Sequence, residues 1–149
     1  MKIQGAVDPR GRLSPEDCRL STGKLEHELS QSHPCLSFEQ RAHLISHYGF
    51  IARDVLDIAR NEALMDRLVE ELPYLKAEVV FACRYEQARS VSDIIARRLP
   101  VLFLDQKLAV RVIDTVSNLM AKELGWSASV AAKKKEEALA YAETFTVSP

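Results

Sequence analysis

Asp105-Gln106-Lys107-Leu108-Ala109-Val110-Arg111-Val112-Ile113-Asp114-Thr115-Val116-Ser117-Asn118-Leu119-Met120-Ala121-Lys122-Glu123-Leu124-Gly125 reads as one long amphipathic helix. Leu108, Val112, Val116 and Leu119 recur in steps of three and four, the spacing of a single helical face, and Ala109, Ile113 and Met120 flank them. Asp105 is a residue type whose side chain accepts the first free backbone N–H groups of a helix. Gly125 suits the left-handed residue that closes one. The stretch predicts a helix over 106–124, the longest in the chain.

Working outward, the same logic extends in both directions. Downstream, Ser127 or Ser129 starts a last helix running through Phe145, with Ala138, Ala142 and Phe145 on its inner face. Upstream, Leu99 to Leu104 reads as a buried link rather than a helix, because Pro100 interrupts it. Ser90 begins another N-terminus, and Asp93 and Arg97 stand one turn apart, able to pair. Pro73 suits the first turn of a further helix, where its missing N–H is not needed. In that helix Leu75, Val79, Ala82 and Cys83 fall at core spacing. Leu64, Met65, Leu68 and Val69 predict a shorter helix before it. A helix from about 51 to 60 carries Ile51, Val55 and Ile58 on one stripe, with Ala52, Leu56 and Ala59 beside it. The first of the set runs from Phe38 to Tyr48. Ser37 and Gln40 have the spacing of a reciprocal capping box, and Gly49 is its stop.

Residues 1–36 differ. Gly5, Pro9, Gly11, Pro15, Gly23 and Pro34 all fall there, and the reading is an extended connector with one short turn near Lys24–Leu29. A long structureless segment is unusual inside a compact domain, so it is expected to lead to a part of the protein that lies elsewhere. The predicted architecture is therefore all-α: a compact bundle of about five to six helices over 37–149 behind an extended leader over 1–36. There is no internal repeat and no strand-pairing signal.

Composition agrees with a single globular domain: 149 residues, 28% charged, with only five glycines and six prolines. The formal charge of −1 favours neither nucleic acid nor an anionic membrane. Leu99–Leu104 is the longest uncharged apolar stretch, far short of the roughly 20 residues a membrane span needs. No signal peptide follows Met1, and Val147-Ser148-Pro149 is no peroxisomal address. Three scattered cysteines, Cys18, Cys35 and Cys83, fit reduced thiols in an intracellular protein.

Several clusters bring together side chains that could carry chemistry. His43 and His47 share a helix face, but Leu44-Ile45-Ser46 separates them, without the Glu of the metalloprotease pattern. His27, His33 and Cys35 lack finger-type spacing, and no Asp-rich calcium loop is present. Cys83 sits at an apolar core position without an activating partner. Lys133-Lys134-Lys135 is followed at once by Glu136 and Glu137, which neutralise it at helical spacing. Glu78, Arg84, Glu86, Asp93, Arg97 and Arg98 form a dense charged set. Its two readings are an arginine site for phosphate or carboxylate and a partly buried ion-pair network that fixes helix order; charges of both signs side by side favour the second. Neither Gly-x-Gly-x-x-Gly nor Gly-x-x-x-x-Gly-Lys occurs, so no dinucleotide site of the strand–turn–helix kind is expected. No catalytic, cofactor-binding or metal residue is assigned.

Three ordered stretches carry a resemblance. They are His43-Leu44-Ile45-Ser46-His47-Tyr48-Gly49, then Leu72-Pro73-Tyr74-Leu75-Lys76-Ala77-Glu78-Val79 continuing through Tyr85-Glu86 and Asp93 to Ala96-Arg97-Arg98, and finally Phe103-Leu104-Asp105 with Leu119-Met120-Ala121-Lys122-Glu123-Leu124-Gly125-Trp126. Together they resemble the C-terminal domain of the FAD-dependent, quinone-linked glycerol-3-phosphate dehydrogenases, over roughly Ser37 to Phe145. Leu99-Pro100 departs from that pattern, where relatives carry a polar pair after the double arginine. The resemblance implies a parent enzyme that oxidises sn-glycerol 3-phosphate to dihydroxyacetone phosphate, passing electrons through FAD to quinone at a membrane, which in eukaryotes is the mitochondrial inner membrane. It implies that flavin and substrate residues lie in an N-terminal flavin domain of the same protein, the expected partner. This chain is then expected to be inactive alone and to carry no FAD. A homo-oligomer stays open, and nucleic acid is not an expected partner. The rival reading is a stand-alone helical interaction module; a small metal protein or helical enzyme built on His43 and His47 is the third.

Overall fold

The computed structural model describes residues 15–145, with side chains from residue 21 onward. The first fourteen residues of the expected leader, the Cys18 side chain and the end at Val147-Ser148-Pro149 lie outside the described residues. Among the described residues seven α-helices follow one another: α1 (Pro15–Ser32), α2 (Phe38–Tyr48), α3 (Ala52–Asn61), α4 (Lys76–Tyr85), α5 (Val101–Leu104), α6 (Gln106–Leu124) and α7 (Ala128–Glu143). A short 3-10 turn, Gly49–Ile51, joins α2 to α3, and a π-helical turn, Asp93–Arg98, precedes α5. Among the described residues there is no strand; Arg67 and Leu75 form one isolated antiparallel bridge. The all-α class holds. The chain falls into two compact units, one ending at Asp57 and the other beginning at Ile58.

In the first unit, residues 15–32 correct the expectation of an extended leader, for they form an 18-residue helix. The two residues taken as breakers do not break it. Pro15 is the first helical residue, where no N–H is required. Gly23 faces open space, with nothing within 4 Å of where a Cβ would stand, so it costs only backbone entropy. The helix packs against α2 and buries Leu25 and Leu29, one turn apart. Two ion pairs brace it: Arg41 Nε to Glu26 at 2.9 Å, and Arg53 to both carboxylate oxygens of Glu28 at 2.8 and 2.7 Å. The capping box of α2 is present. The Gln40 N–H donates to Ser37 Oγ at 3.2 Å and the Ser37 N–H to Gln40 Oε1 at 3.0 Å. Gly49 ends the helix at φ 57°, ψ −132°, a conformation open to glycine rather than the left-handed helical one.

The second unit is built round α6, which matches its expected bounds. Asp105 accepts N–H bonds from Lys107 and Leu108, and Gly125 closes the helix at φ 66°. Ala109, Val112, Ile113, Val116 and Met120 are buried along it. α7, α4, α5 and the π turn all pack on it, contributing Ala138 and Ala142, Val79, Ala82 and Cys83, Val101 and Leu102, and Ile94 and Ile95 to one core. Ser127 is the cap of α7.

Three local expectations change. Residues 62–75 are a loop, not a short helix. Ala63 takes a left-handed φ of 54°, and Pro73 disfavours helix for Leu72 before it. The apolar run instead folds back: the Leu68 N–H donates to the Tyr74 carbonyl at 2.7 Å, and Leu68 and Val69 are buried by tertiary packing. Pro73 therefore precedes α4 rather than entering it. The Glu78 carboxylate accepts the Leu75 N–H at 2.7 Å and so caps the helix from inside. Finally, Leu99–Leu104 contains one helical turn, α5, and only Leu99, Val101 and Leu102 of its apolar residues are buried; Phe103 and Leu104 are 61% and 60% exposed.

Ala63 is exposed and left-handed, a conformation that costs an L-residue with a Cβ roughly 1–2 kcal/mol. Ala63→Gly should therefore raise the free energy of unfolding by about 0.5–1 kcal/mol, after allowing for glycine's looser unfolded chain. Urea denaturation checks this; an unchanged or lower midpoint would contradict the assigned turn.

Candidate functional site at the end of helix α4

The charged set of the sequence converges in part. Tyr85, Glu86, Gln87, Asp93, Arg97 and Arg98 line an open hollow of about 490 Å³ between the end of α4 and the π turn. The chain makes this hollow by an unusual helix ending. Glu86 donates its N–H to the Ala82 carbonyl, Gln87 takes a left-handed φ of 57°, and the Ala88 N–H returns to the same Ala82 carbonyl at 3.0 Å. The last carbonyls of a helix need outside donors, and here arginines supply them. Arg89 Nη1 donates to the carbonyls of Cys83 and Ala88 at 3.0 and 3.3 Å, and Arg98 Nη2 donates to that of Glu86 at 2.8 Å. Positive charge at a helix C-terminus is also favourable to the helix dipole.

Ser90 and Asp93 open the π turn as a reciprocal pair. The Asp93 N–H donates to Ser90 Oγ at 3.1 Å, and Asp93 Oδ2 accepts from the Ser90 and Arg89 N–H groups at 3.0 and 3.1 Å. Arg97 Nη1 donates to Asp93 Oδ1 at 3.2 Å, the pairing expected from their spacing. Burial alone would push the Asp93 carboxyl up, but the Arg89 N–H, the Ser90 hydroxyl and N–H and the Arg97 charge together hold it below the usual range. The Leu99 N–H reaches back five residues to the Ile94 carbonyl at 2.8 Å, which defines the π geometry. This wider turn buries both Ile94 and Ile95 while leaving Arg97 and Arg98 on the hollow. Glu86 Oε2 and Arg98 Nε stand 3.7 Å apart, a loose ion pair; both atoms are buried without a hydrogen-bond partner.

Glu78 and Arg84 do not join this hollow. Glu78 is fully buried at the start of α4. Arg84 grips Glu123 of α6 through two bonds, 2.6 and 2.8 Å, and Glu62 through a third, 2.7 Å. Within the set only Asp93 with Arg97 and Glu86 with Arg98 pair, while Glu78 and Arg84 take partners outside it. The sequence marks Ser90 as a helix start and Glu123 only as part of a resembling stretch; it gives no sign of Arg89 or of the Glu62 and Glu123 partnership with Arg84. Glu62 and Glu123 lie 22 and 39 residues from Arg84, beyond any local spacing rule.

The remaining candidates are dispersed. The His43 and His47 rings lie 5.4 Å apart, tilted 36° to each other, and both meet the Tyr48 ring edge-on. Among the described residues no three His, Cys, Asp or Glu side chains gather to hold a metal ion. Burial pushes the Cys83 thiol up to about 11, with Glu123 adding to the effect and Arg89 and Arg84 opposing it. Lys134 pairs with Glu137 at 3.0 Å, and Lys135 pairs with Asp114, so part of the lysine run is neutralised in place.

Chemically, the hollow offers guanidinium donors and carboxylate acceptors, but no activated nucleophile. A flavin dinucleotide needs its pyrophosphate seated on a glycine-rich turn between a strand and a helix, or an equivalent cradle. The described residues contain no such strand, turn or cradle, and the hollow is open and polar. They do not fit FAD. No described helix is long and apolar enough to cross a membrane.

The described residues form an all-α fold whose helices are held by caps and ion pairs. Residues 3–131 match the family described as the C-terminal domain of alpha-glycerophosphate oxidase. The mitochondrial glycerol-3-phosphate dehydrogenase SDP6 of Arabidopsis thaliana is 38% identical over 106 residues, covering 71% of this chain and 17% of that protein. A mitochondrial glycerol-3-phosphate dehydrogenase of Bos taurus is 36% identical over 115 residues, 74% of this chain and 15% of its own length. A probable one from Dictyostelium discoideum is 39% identical over 95 residues, 64% and 14%. No solved structure matches. The chain belongs to the C-terminal-domain family shared by alpha-glycerophosphate oxidase and the mitochondrial glycerol-3-phosphate dehydrogenases. It spans about a sixth of the length of these relatives.

Two outcomes test the local chemistry. Iodoacetamide at pH 8 should alkylate exposed Cys35 in the native protein and Cys83 only after denaturation, read by peptide mass mapping; native labelling of Cys83 would contradict its burial. A carboxyl held below its unfolded value of 3.8 contributes stability above that pH and loses it as pH falls through the folded value. Asp93→Asn should thus cost about 0.5–2 kcal/mol at pH 7. In urea titrations the gap to wild type should narrow progressively below pH 3.8; a gap that persisted unchanged at pH 2 would contradict the role of the charge.

Proposed function

We propose that this chain is the C-terminal helical domain of an FAD-dependent glycerol-3-phosphate dehydrogenase, silent by itself and packed on a flavin-bearing domain of the same protein. The parent enzyme would oxidise sn-glycerol 3-phosphate to dihydroxyacetone phosphate and deliver electrons to quinone at a membrane, mitochondrial in a eukaryote. The observation that carries this reading is the family match across most of the chain. FAD, bound elsewhere in the parent, would supply the hydride acceptor; the residues described here supply a rigid helical body and no step of the oxidation.

The test is reduction of an artificial electron-accepting dye by glycerol 3-phosphate. The chain alone should give no rate above the buffer. The chain mixed with the separately produced remainder of the Arabidopsis relative, which ends where the matched region begins, should form a complex visible by sedimentation. Dye reduction by this chain alone, or failure to form the complex, would overturn the reading.

A further inference from the structure

Around α5 the second unit exposes aromatic and aliphatic side chains that its own core leaves largely uncovered. Phe103 and Leu104, consecutive on the single turn of α5, are 61% and 60% exposed, although the residues just before them, Val101 and Leu102, are buried. Phe103 does not stand alone. Its ring meets Phe145 edge-on at 5.4 Å, and Phe145 in turn meets Tyr141 edge-on at 5.3 Å. Tyr141 is itself exposed. The three rings thus form one cluster drawn from α5, the end of α7 and Phe145 just beyond it, with Phe145 half-buried against the core and Leu104 exposed next to Phe103 in the chain.

This surface is held stiffly. Asp105, next to Leu104, caps α6 through two N–H groups and donates its own N–H to the Val101 carbonyl at 2.8 Å. Gln106 Nε2 donates to the Ala142 carbonyl at 3.4 Å, tying the start of α6 to α7. Thr144 Oγ1 donates to the Tyr141 carbonyl at 2.7 Å and closes the end of α7. Rings already fixed against one another lose little side-chain freedom on binding, which is one source of affinity. Large aromatic residues anchored this way are the usual centres of protein interfaces, and a contiguous apolar patch on a folded surface marks a contact site.

Resting on the proposed function, we infer that Phe103, Leu104, Tyr141 and Phe145 form the face that docks on the flavin-bearing domain of the parent protein. The occupant follows from length. The family is a C-terminal domain and this chain spans only 17% of the Arabidopsis relative, so more than four-fifths of such a protein stands ready, covalently joined, to cover this face. The partner surface it fits is apolar and concave, admitting the Phe103 ring and the Leu104 side chain.

The experiment uses this chain and the remainder of the Arabidopsis relative, with the dissociation constant measured by calorimetry. Because Phe103 and Leu104 are mostly exposed, Phe103→Ser and Leu104→Ser should leave the thermal midpoint nearly unchanged while weakening association about tenfold or more each. Val130→Ser, at an exposed apolar residue on α7 outside this face, should leave affinity unaltered. Unchanged affinity in both serine variants, with a wild-type complex that forms, overturns the inference and leaves the proposed function standing. Absence of any wild-type complex overturns the proposed function, and the inference falls with it. Should the chain self-associate and the serine variants abolish that, the occupant is a second copy and the inference is again wrong. If a serine variant unfolds, protection of the Tyr141 and Phe145 rings from photochemical labelling in the wild-type complex supplies the same decision.

Discussion

Everything in the second unit depends on α6 being covered on several sides at once. A nineteen-residue helix that buries Ala109, Val112, Ile113, Val116, Ser117 and Met120 cannot expose that surface to water, so its neighbours are forced into place round it. α7 contributes alanines at its contact positions, which lets it lie close. α4 contributes Val79, Ala82 and Cys83, and Arg84 then reaches across to Glu123. The π turn supplies Ile94 and Ile95.

That constraint shapes the polar chemistry as well. Bringing α4 and the π turn together on α6 leaves α4 ending beside Arg89 and Arg98, whose guanidinium groups satisfy carbonyls that would otherwise be orphaned. Most of the charge density that looks functional is explained by helix termination. What remains, the loose Glu86–Arg98 contact and the open hollow, has no reacting group. The surface that helix termination leaves unexplained is apolar: Phe103 and Leu104 on α5 are exposed.

The sequence was legible where one local rule governs an element. Ser37 with Gln40, Asp105, Gly125 and Ser127 mark helix ends by their own hydrogen-bonding chemistry, and each stands where expected. It was misleading where a breaker residue is tolerated for tertiary or positional reasons. Pro15 and Gly23 sit inside α1, since one needs no donor there and the other faces open space. Leu64, Met65, Leu68 and Val69 have helical spacing, yet Pro73 and the left-handed Ala63 bracket them into a loop. In the candidate site, the Asp93–Arg97 pair was readable from spacing. The partition of Arg84 to Glu62 and Glu123 was not, because nothing local links residues so far apart. Nor does any pattern rule distinguish buried Val101 and Leu102 from exposed Phe103 and Leu104.

Native-state hydrogen exchange on the chain addresses the central role of α6 most directly. Amides of Val112, Ile113, Val116 and Met120 should be the slowest in the second unit, exchanging only with its global unfolding. Exchange of these amides ahead of those in α4 or α7 would contradict an architecture assembled round that helix.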